Sequence, residues 1–192
     1  MGPEVIRVLR RLVCAWFSAG LLAACSGWAS PAAETVVDVD SAKREMRVLR
    51  DGKVLALFER VSVGRWGVSE EKRLGDGKTP LGQYRIAWLK KGGRFGPFLG
   101  FDYPSPARAE KGLAAGEIDQ AEHDAIRQAH ADGRVPPQNT RLGGYIGIHG
   151  LGRADPGIHR EMNWTKGCIA LTDAQMSRLM RLVGKGTLVR VH

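Results

Sequence analysis

Between residues 35 and 192, the segments with a regular apolar pattern are short, and glycine-containing turns separate them. Met46 to Arg50 and Lys53 to Val63 flank the pair Asp51-Gly52, which supplies the positive φ of a type I′ hairpin turn. Three further segments have strand character: Thr35 to Asp40, Gln83 to Leu89, and Thr187 to Val191. The chain has 25 glycines among 192 residues. This pattern of short strands and glycine-containing turns predicts one domain in which strands outnumber helices.

Two segments have helical character. Residues 117–131 carry apolar side chains near one side and are predicted to form a helix within an insertion. Thr172 and Gln175 have the spacing of a capping box, which predicts a second helix running to about Val183. The expected fold is therefore mainly β (α+β), with a helical insertion and one C-terminal helix.

The remaining segments are predicted to be irregular. Residues 90–104 are rich in Gly, Pro and Phe and indicate an irregular crossing, and residues 151–164 indicate a polar loop. His123 and His130 lie seven residues apart in the predicted insertion helix. Because no carboxylate or cysteine accompanies them in a ligand pattern, a solvated helix surface explains them better than a metal site.

The first 24 residues have the pattern of an export signal. Three arginines precede Leu12 to Ala24, an apolar stretch of 13 residues that is too short to span a membrane. The sequence Leu22-Ala23-Ala24-Cys25 resembles the lipobox of bacterial lipoproteins, in which the cysteine is acylated. Cleavage of an ordinary signal between Ala29 and Ala33 is the alternative. We expect a signal peptide over 1–24, a lipidated or flexible tether over 25–34, and a periplasmic or cell-envelope location.

The net charge restricts the partners. The chain carries 29 Lys and Arg against 20 Asp and Glu, a formal charge of +9. A basic surface favours acidic polymers or anionic lipid. Nucleic acid is disfavoured as a partner, because the chain is predicted to be exported and no single element combines its basic residues with aromatic ones.

Cysteine usage raises a question about one thiol. Of the three cysteines, Cys14 lies in the predicted signal and Cys25 at the predicted lipid attachment site. Cys168 is left alone in an exported chain, where an unpaired thiol needs a reason. It is either a small buried apolar side chain or a nucleophile.

A histidine offers a base for that thiol. Leu142 to Gly150 is predicted to be a strand that places His149 on the face opposite its isoleucines. Cys168 follows 19 residues later, on the face away from Ile169, so both side chains can line one cleft. His149 could act as the base; a hydrogen bond from it to a loop is the alternative, and His159 is a rival base.

The flanking residues complete a candidate site. Lys166 adds positive charge near the thiol, and Gly167 lets the backbone approach a substrate carbonyl. The amides of Gly167 and Cys168 could then bind an oxyanion.

These residues together carry a family resemblance. Ile148-His149-Gly150, followed after a spacer by Thr165-Lys166-Gly167-Cys168-Ile169, resembles the signature of the L,D-transpeptidase catalytic (YkuD-type) domain. The stretches Asp76 to Gly82 and Gly186 to Val189 are similar to further parts of that pattern, so the resemblance spans residues 35–192 in outline.

The resemblance implies a YkuD-type β-sandwich and a role for each residue. Cys168 would be the nucleophile, His149 the general base, and the Gly150 carbonyl would orient the imidazole. Thr165, Lys166 and Gly167 would form the oxyanion and substrate-binding turn. The reaction would be acyl transfer through a thioester on peptidoglycan stem peptides, with no metal and no organic cofactor. The acceptor would be a neighbouring stem or a wall-linked protein, and the lipid anchor would bring the membrane as a further partner.

Two departures from the family pattern leave the reaction open. Lys166 stands where the family usually has His, and Ala170 stands where Asn or Arg is usual. A hydrolase on the same scaffold, an L,D-carboxypeptidase or an amidase that releases wall-linked lipoprotein, is the first alternative. A non-catalytic wall-binding lipoprotein is the second.

Overall fold

The computed structural model describes residues 34–192, and within that range eight of ten strands form one curled sheet. The sheet order is β3-β2-β1-β10-β6-β7-β8-β9, and β4 and β5 form a separate parallel pair. The strands are β1 Thr35–Asp40, β2 Glu45–Arg50, β3 Lys53–Glu59, β4 Val68–Ser69, β5 Thr79–Pro80, β6 Gly82–Lys90, β7 Phe98–Phe101, β8 Gly147–His149, β9 Ile169–Ala170 and β10 Leu188–Val191. The helices are α1 Pro106–Ala114, α2 Gln120–Ala131, α3 Pro156–Glu161 and α4 Asp173–Leu179. The mainly β prediction is confirmed.

Local sequence explains the first half of the sheet. Asp51 and Gly52 have φ values of 51° and 76°, so they form the positive-φ turn that joins β2 to β3. β1 pairs antiparallel with β2 and parallel with β10, so the last strand lies beside the first strand of the described residues. The alternating apolar side chains of these strands fill the main core, together with those of β6, β7 and α4; its largest members include Met46, Phe58, Ile86, Phe101, Ile148, Leu171 and Met176.

The far edge of the sheet holds the segments that carry the predicted site. β8 pairs antiparallel with β7 on one side and parallel with β9 on the other. Ser62 bridges to Ala170, and Gly64 bridges to Thr165, so the chain after β3 continues the pairing beyond β9. The site segments are therefore held by main-chain bonds on both sides.

The insertion has a small core of its own. α1 and α2 pack around Ala109, Ile118, Ile126 and Leu142. The predicted helix over 117–131 is α2, and α1 is an addition. The assignment of His123 and His130 to a solvated surface is wrong: His123 is buried, and the ring of His130 lies 2.9 Å from the Pro104 carbonyl.

The structure differs from the prediction in four segments. β7 lies within the predicted crossing over 90–104, and α3 lies within the predicted loop over 151–164. The long strand predicted over 142–150 shortens to β8, because Tyr145 has a φ of 54°. β3 ends at Glu59, since Arg60 also has a positive φ of 58°.

The C-terminal helix is confirmed, with both capping-box hydrogen bonds between Thr172 and Gln175. It ends at Leu179, four residues before the predicted end.

The predicted signal peptide and its cysteine Cys25, with the tether up to residue 33, lie outside the described residues. In residues 34–192, none of the helices combines the length and apolar character needed to cross a membrane.

Candidate active site

The strand register brings His149 and Cys168 to one face of the sheet edge. β8 and β9 run parallel, with Ile148 opposite Ile169 and His149 opposite Ala170. One position earlier in this register, Gly147 faces Cys168. Because side chains alternate along strands, Cys168 and His149 project from the same face, one strand and two residues apart.

The imidazole of His149 is held in one orientation. Its Nδ1 lies 2.7 Å from the Gly150 carbonyl, so Nδ1 carries the proton and Nε2 is the acceptor. Phe95 stacks on the ring at 4.8 Å, and Trp164 meets it edge-on at 5.8 Å. The side chain is only 4% exposed. Burial lowers the pKa of His149, against the opposing effect of the Gly150 hydrogen bond, so the ring is neutral at neutral pH.

The thiol of Cys168 is protonated in this state. The half-buried side chain donates from Sγ to the Tyr145 carbonyl at 3.2 Å. Burial raises the pKa of the thiol to about 11, while the Gly147 amide and the charge of Lys72 act in the opposite direction. Since the thiolate is the nucleophile, reaction requires a base that removes this proton. A neutral imidazole on the neighbouring strand is suited to that task.

The turn before Cys168 is organised by Thr165. Its hydroxyl donates to the Cys168 carbonyl at 2.6 Å and accepts from the Gly167 amide at 3.1 Å. Gly167 has a φ of 137°, and a Cβ there would lie 2.8 Å from the Lys78 carbonyl. Lys166 is exposed on the outside of the turn. Because the Gly167 amide already has a partner, an oxyanion would have to displace the Thr165 hydroxyl or use the other amides of the turn.

A cavity adjoins His149. It has a volume of about 210 Å³ and lies beneath the loop that joins β6 to β7. Its walls include the side chains of Trp88, Lys90, Phe95, Phe98, Tyr145 and His149. This loop covers the imidazole and leaves the cavity beside Tyr145, whose carbonyl holds the thiol. The described residues include no group of three or more His, Cys, Asp or Glu that could hold a metal ion.

Comparison with known families decides the relationship. Residues 34–191 match the YkuD family, the L,D-transpeptidase catalytic domain. The chain belongs to this family. No curated protein matches the sequence of this L,D-transpeptidase-family chain.

Solved structures of the same fold include the helical cell shape determining protein Pgp2 from Campylobacter jejuni, at 19% identity and a TM-score of 0.54. That match covers 83% of this chain and 47% of Pgp2. Bd1075 of Bdellovibrio bacteriovorus matches at 14% identity and a TM-score of 0.54, with coverage of 83% and 48%. An L,D-transpeptidase of Enterococcus faecium matches at 17% identity and a TM-score of 0.49, with coverage of 83% and 50%. This chain thus spans about half the length of these structures.

The rival base His159 lies behind Trp164 in this transpeptidase-family domain. The indole Nε1 of Trp164 donates to His159 Nδ1 at 3.2 Å, while the same indole contacts the ring of His149. This bond assigns the His159 proton to Nε2, which is buried without a hydrogen-bond partner among residues 34–192. Burial, with the nearby Arg44 charge, lowers the pKa of His159. The structure therefore places His149, and not His159, on the strand beside Cys168.

Three residues at this site were not identified from the sequence. Tyr145 supplies the carbonyl that holds the thiol, Phe95 covers the imidazole, and Lys72 is a buried cation that acts on Cys168. Phe95 and Lys72 are distant in sequence from the His149-to-Cys168 motif, so no local spacing points to them. The positive φ of Tyr145 left no signal, because tyrosine is not a residue that favours it.

Proposed function

We propose that the domain is a peptidoglycan L,D-transpeptidase with Cys168 as its nucleophile and His149 as its general base. The observation that carries this proposal is the parallel register of β8 and β9, which puts both side chains on one face at the sheet edge. The contact between His149 Nδ1 and the Gly150 carbonyl supports it, because it leaves Nε2 as the proton acceptor.

The first half-reaction forms a thioester. His149 Nε2 takes the proton from Cys168 Sγ, and the sulfur attacks the carbonyl carbon of the third stem residue. A carbon–sulfur bond forms, and the carbonyl electrons move to an oxyanion beside the turn that Thr165 organises. When the oxyanion collapses, the carbon–nitrogen bond breaks. The leaving D-amino acid takes the proton from His149.

The second half-reaction transfers the acyl group. An amine of a neighbouring stem, or of a wall-linked protein, attacks the thioester and gives its proton to His149. The carbon–sulfur bond breaks, and the Cys168 sulfur regains a proton from the imidazole.

The test incubates the purified protein with disaccharide tetrapeptides and identifies products by mass spectrometry. Cross-linked dimers are expected, and C168A and H149N should lose them. H192N is the matched control, because the His192 ring is largely exposed at the far end of the chain. Tripeptide without dimers would contradict transpeptidation and identify a hydrolase. Full activity in C168A would contradict the nucleophile assignment, and absence of any product would favour a wall-binding role.

We further propose that the chain is exported and anchored by lipid at Cys25, where it acts in the cell envelope. The lipobox-like sequence supports this location, and the basic surface suits an acidic wall polymer. Pgp2 is a helical cell shape determining protein, and its structural similarity motivates a corresponding role in cell shape for this chain. Mass spectrometry of the mature N-terminus should find an acylated Cys25, and C25A should move the protein from the membrane fraction to the soluble fraction. A free N-terminus after residue 29 would contradict the anchor.

A further inference from the structure

Lys72 is a buried cation that the proposed reaction has not yet used. Its side chain is 3% exposed, and its Nζ donates to Asp76 Oδ1 at 2.5 Å and to the Arg73 carbonyl at 2.8 Å. Removing an ammonium group from water has a large free-energy cost unless partners compensate. An exposed lysine in this loop would avoid that cost, so the buried position needs a reason.

The position of Lys72 relative to Cys168 supplies one. Lys72 Cε lies 3.3 Å from the point where a Cβ on Gly167 would stand. The Lys72 side chain therefore passes directly beneath the backbone turn that carries the thiol. Lys78, at the other end of the same loop, lies against the same point through its carbonyl. Lys166 is adjacent in sequence, but its side chain is exposed outside the turn.

The helical insertion fixes the backbone of Lys72. Arg108 of α1 donates to the Lys72 carbonyl from Nε at 3.2 Å and from Nη2 at 3.0 Å. The Tyr103 hydroxyl, which donates to the Leu142 carbonyl at 2.8 Å, also lies 3.3 Å from the Lys72 carbonyl. Arg108 is itself paired with Glu117, which precedes α2. The insertion thus reaches the active site through one buried arginine.

Asp76 fixes the other end of the side chain. Its carboxylate accepts from Lys72 Nζ and also from the amides of Arg73 at 2.8 Å and Lys78 at 2.9 Å. Burial acts to raise the pKa of Asp76, but the hydrogen bonds from these groups outweigh it and lower the pKa, so the carboxylate is charged.

We propose that Lys72 is a positioning residue for Cys168: a fixed positive charge beneath the Gly167 turn that stabilises the thiolate as His149 removes the proton. This inference rests on the proposed role of Cys168. No bond to Lys72 changes during the step, since the proton passes from Sγ to His149 Nε2. The charged or titratable groups that face the pair are His149 from β8 and Asp76 from the same loop, with Arg108 and Tyr103 from the insertion.

The charge of Lys72 opposes the effect of burial on the thiol. It lowers the pKa of Cys168, whereas burial raises it. An opposite charge close to a titrating group changes the pKa of that group by about one to three units. Because Asp76 partly neutralises the charge of Lys72, we expect a pKa change at the lower end of this range. We therefore expect about a tenfold change in thiol reactivity at a fixed pH below the pKa.

The experiment measures alkylation of Cys168 by iodoacetamide across pH 6 to 11 in the full chain. Mass spectrometry of the peptide that contains Cys168 separates it from the other two cysteines. K72M should react about tenfold more slowly at pH 8 and at every other pH below the pKa of the thiol. K72R, which keeps the charge, should stay within about threefold. K53M removes an exposed lysine from the start of β3 and should match the unmodified chain.

A variant expected to change the alkylation rate in the opposite direction distinguishes an effect of charge from an effect of altered structure. D76N removes the counter-charge, so it should speed alkylation of Cys168. If K72M does not fold, as judged by circular dichroism, D76N decides the question. Unchanged alkylation rates in folded K72M and D76N, or slowing in both, would overturn the proposal. The assay needs no peptidoglycan, so its outcome is independent of the transpeptidation test.

Discussion

Replacement of Arg108 by Met tests how strongly the insertion is tied to the active-site domain. The arginine is 5% exposed and joins Glu117 to the Lys72 carbonyl. Removal of one partner from a buried ion pair costs about 3–5 kcal/mol, because the other charge is left without compensation. Two features here reduce that cost. Glu117 keeps an ion pair with Arg73 at 2.6 Å. The Tyr103 hydroxyl, which donates to Leu142 at 2.8 Å, also stays 3.3 Å from the Lys72 carbonyl.

These features place the expected loss at the lower end of the range, about 3 kcal/mol. For a chain of this size, 1 kcal/mol corresponds to about 2–4 °C in melting temperature. R108M should therefore melt about 6–12 °C lower than the unmodified chain in differential scanning calorimetry. It should also slow alkylation of Cys168 at pH 8, because the loop that carries Lys72 loses its anchor.

R73M is the matched control for this variant. Arg73 pairs with the same carboxylate, but its side chain is 59% exposed. Exposed ion pairs contribute about 0–1 kcal/mol, so R73M should melt within about 4 °C of the unmodified chain. Equal losses in R108M and R73M would refute the reasoning, since they would show that the burial of Arg108 adds nothing.

Three further changes test the site. Gly167→Ala should lower the melting temperature by about 4–12 °C, because the added Cβ would lie 2.8 Å from the Lys78 carbonyl and the residue would keep a positive φ. A decrease in melting temperature of less than about 2 °C would show that the turn adjusts. Stability to urea should fall between pH 7 and pH 5, because burial lowers the pKa values of His149 and His159 and the unfolded chain therefore binds protons that the folded chain does not. Each histidine contributes a slope of up to about 1.4 kcal/mol per pH unit. A flat stability profile would contradict the buried neutral state. Phe95→Ala should expose the imidazole of His149 and raise its pKa toward the ordinary value, which NMR of the His149 Cε1 proton can follow. An unchanged titration of His149 would show that Phe95 does not shield the imidazole from solvent.

Sequence alone could predict the features that depend on neighbouring residues. The Asp51-Gly52 turn and the Thr172 capping box are chosen by local backbone chemistry, and both have the expected geometry. His149 and Cys168 also lie within one 19-residue stretch, so their facing could be deduced from strand alternation. Their proposed roles in catalysis still await the activity test.

Features fixed by tertiary contact left weaker signals or none. α1 was missed because its buried face consists of Arg108, Ala109 and Gly112, which have no apolar periodicity. Gly112 is small because a Cβ there would lie 2.9 Å from the side chain of Leu142. Lys72 looked like any surface lysine, since its burial depends on an arginine 36 residues away. The helix α3 did carry a signal, because Asp155 caps it and Pro156 occupies its first turn.

The resting state of the site determines how the reaction can begin. With a thiol pKa of about 11, only about one molecule in 10⁴ carries a thiolate at pH 7. The lowered pKa of His149 makes its imidazole a weak base, so a stable thiolate–imidazolium pair does not form before substrate binds. Proton transfer must then coincide with attack on the carbonyl, when negative charge passes from the sulfur to the oxyanion. Lys72 Cε lies 3.3 Å from the Cβ position of Gly167, the residue before the thiol, so its charge can assist the step without taking part in the proton transfer.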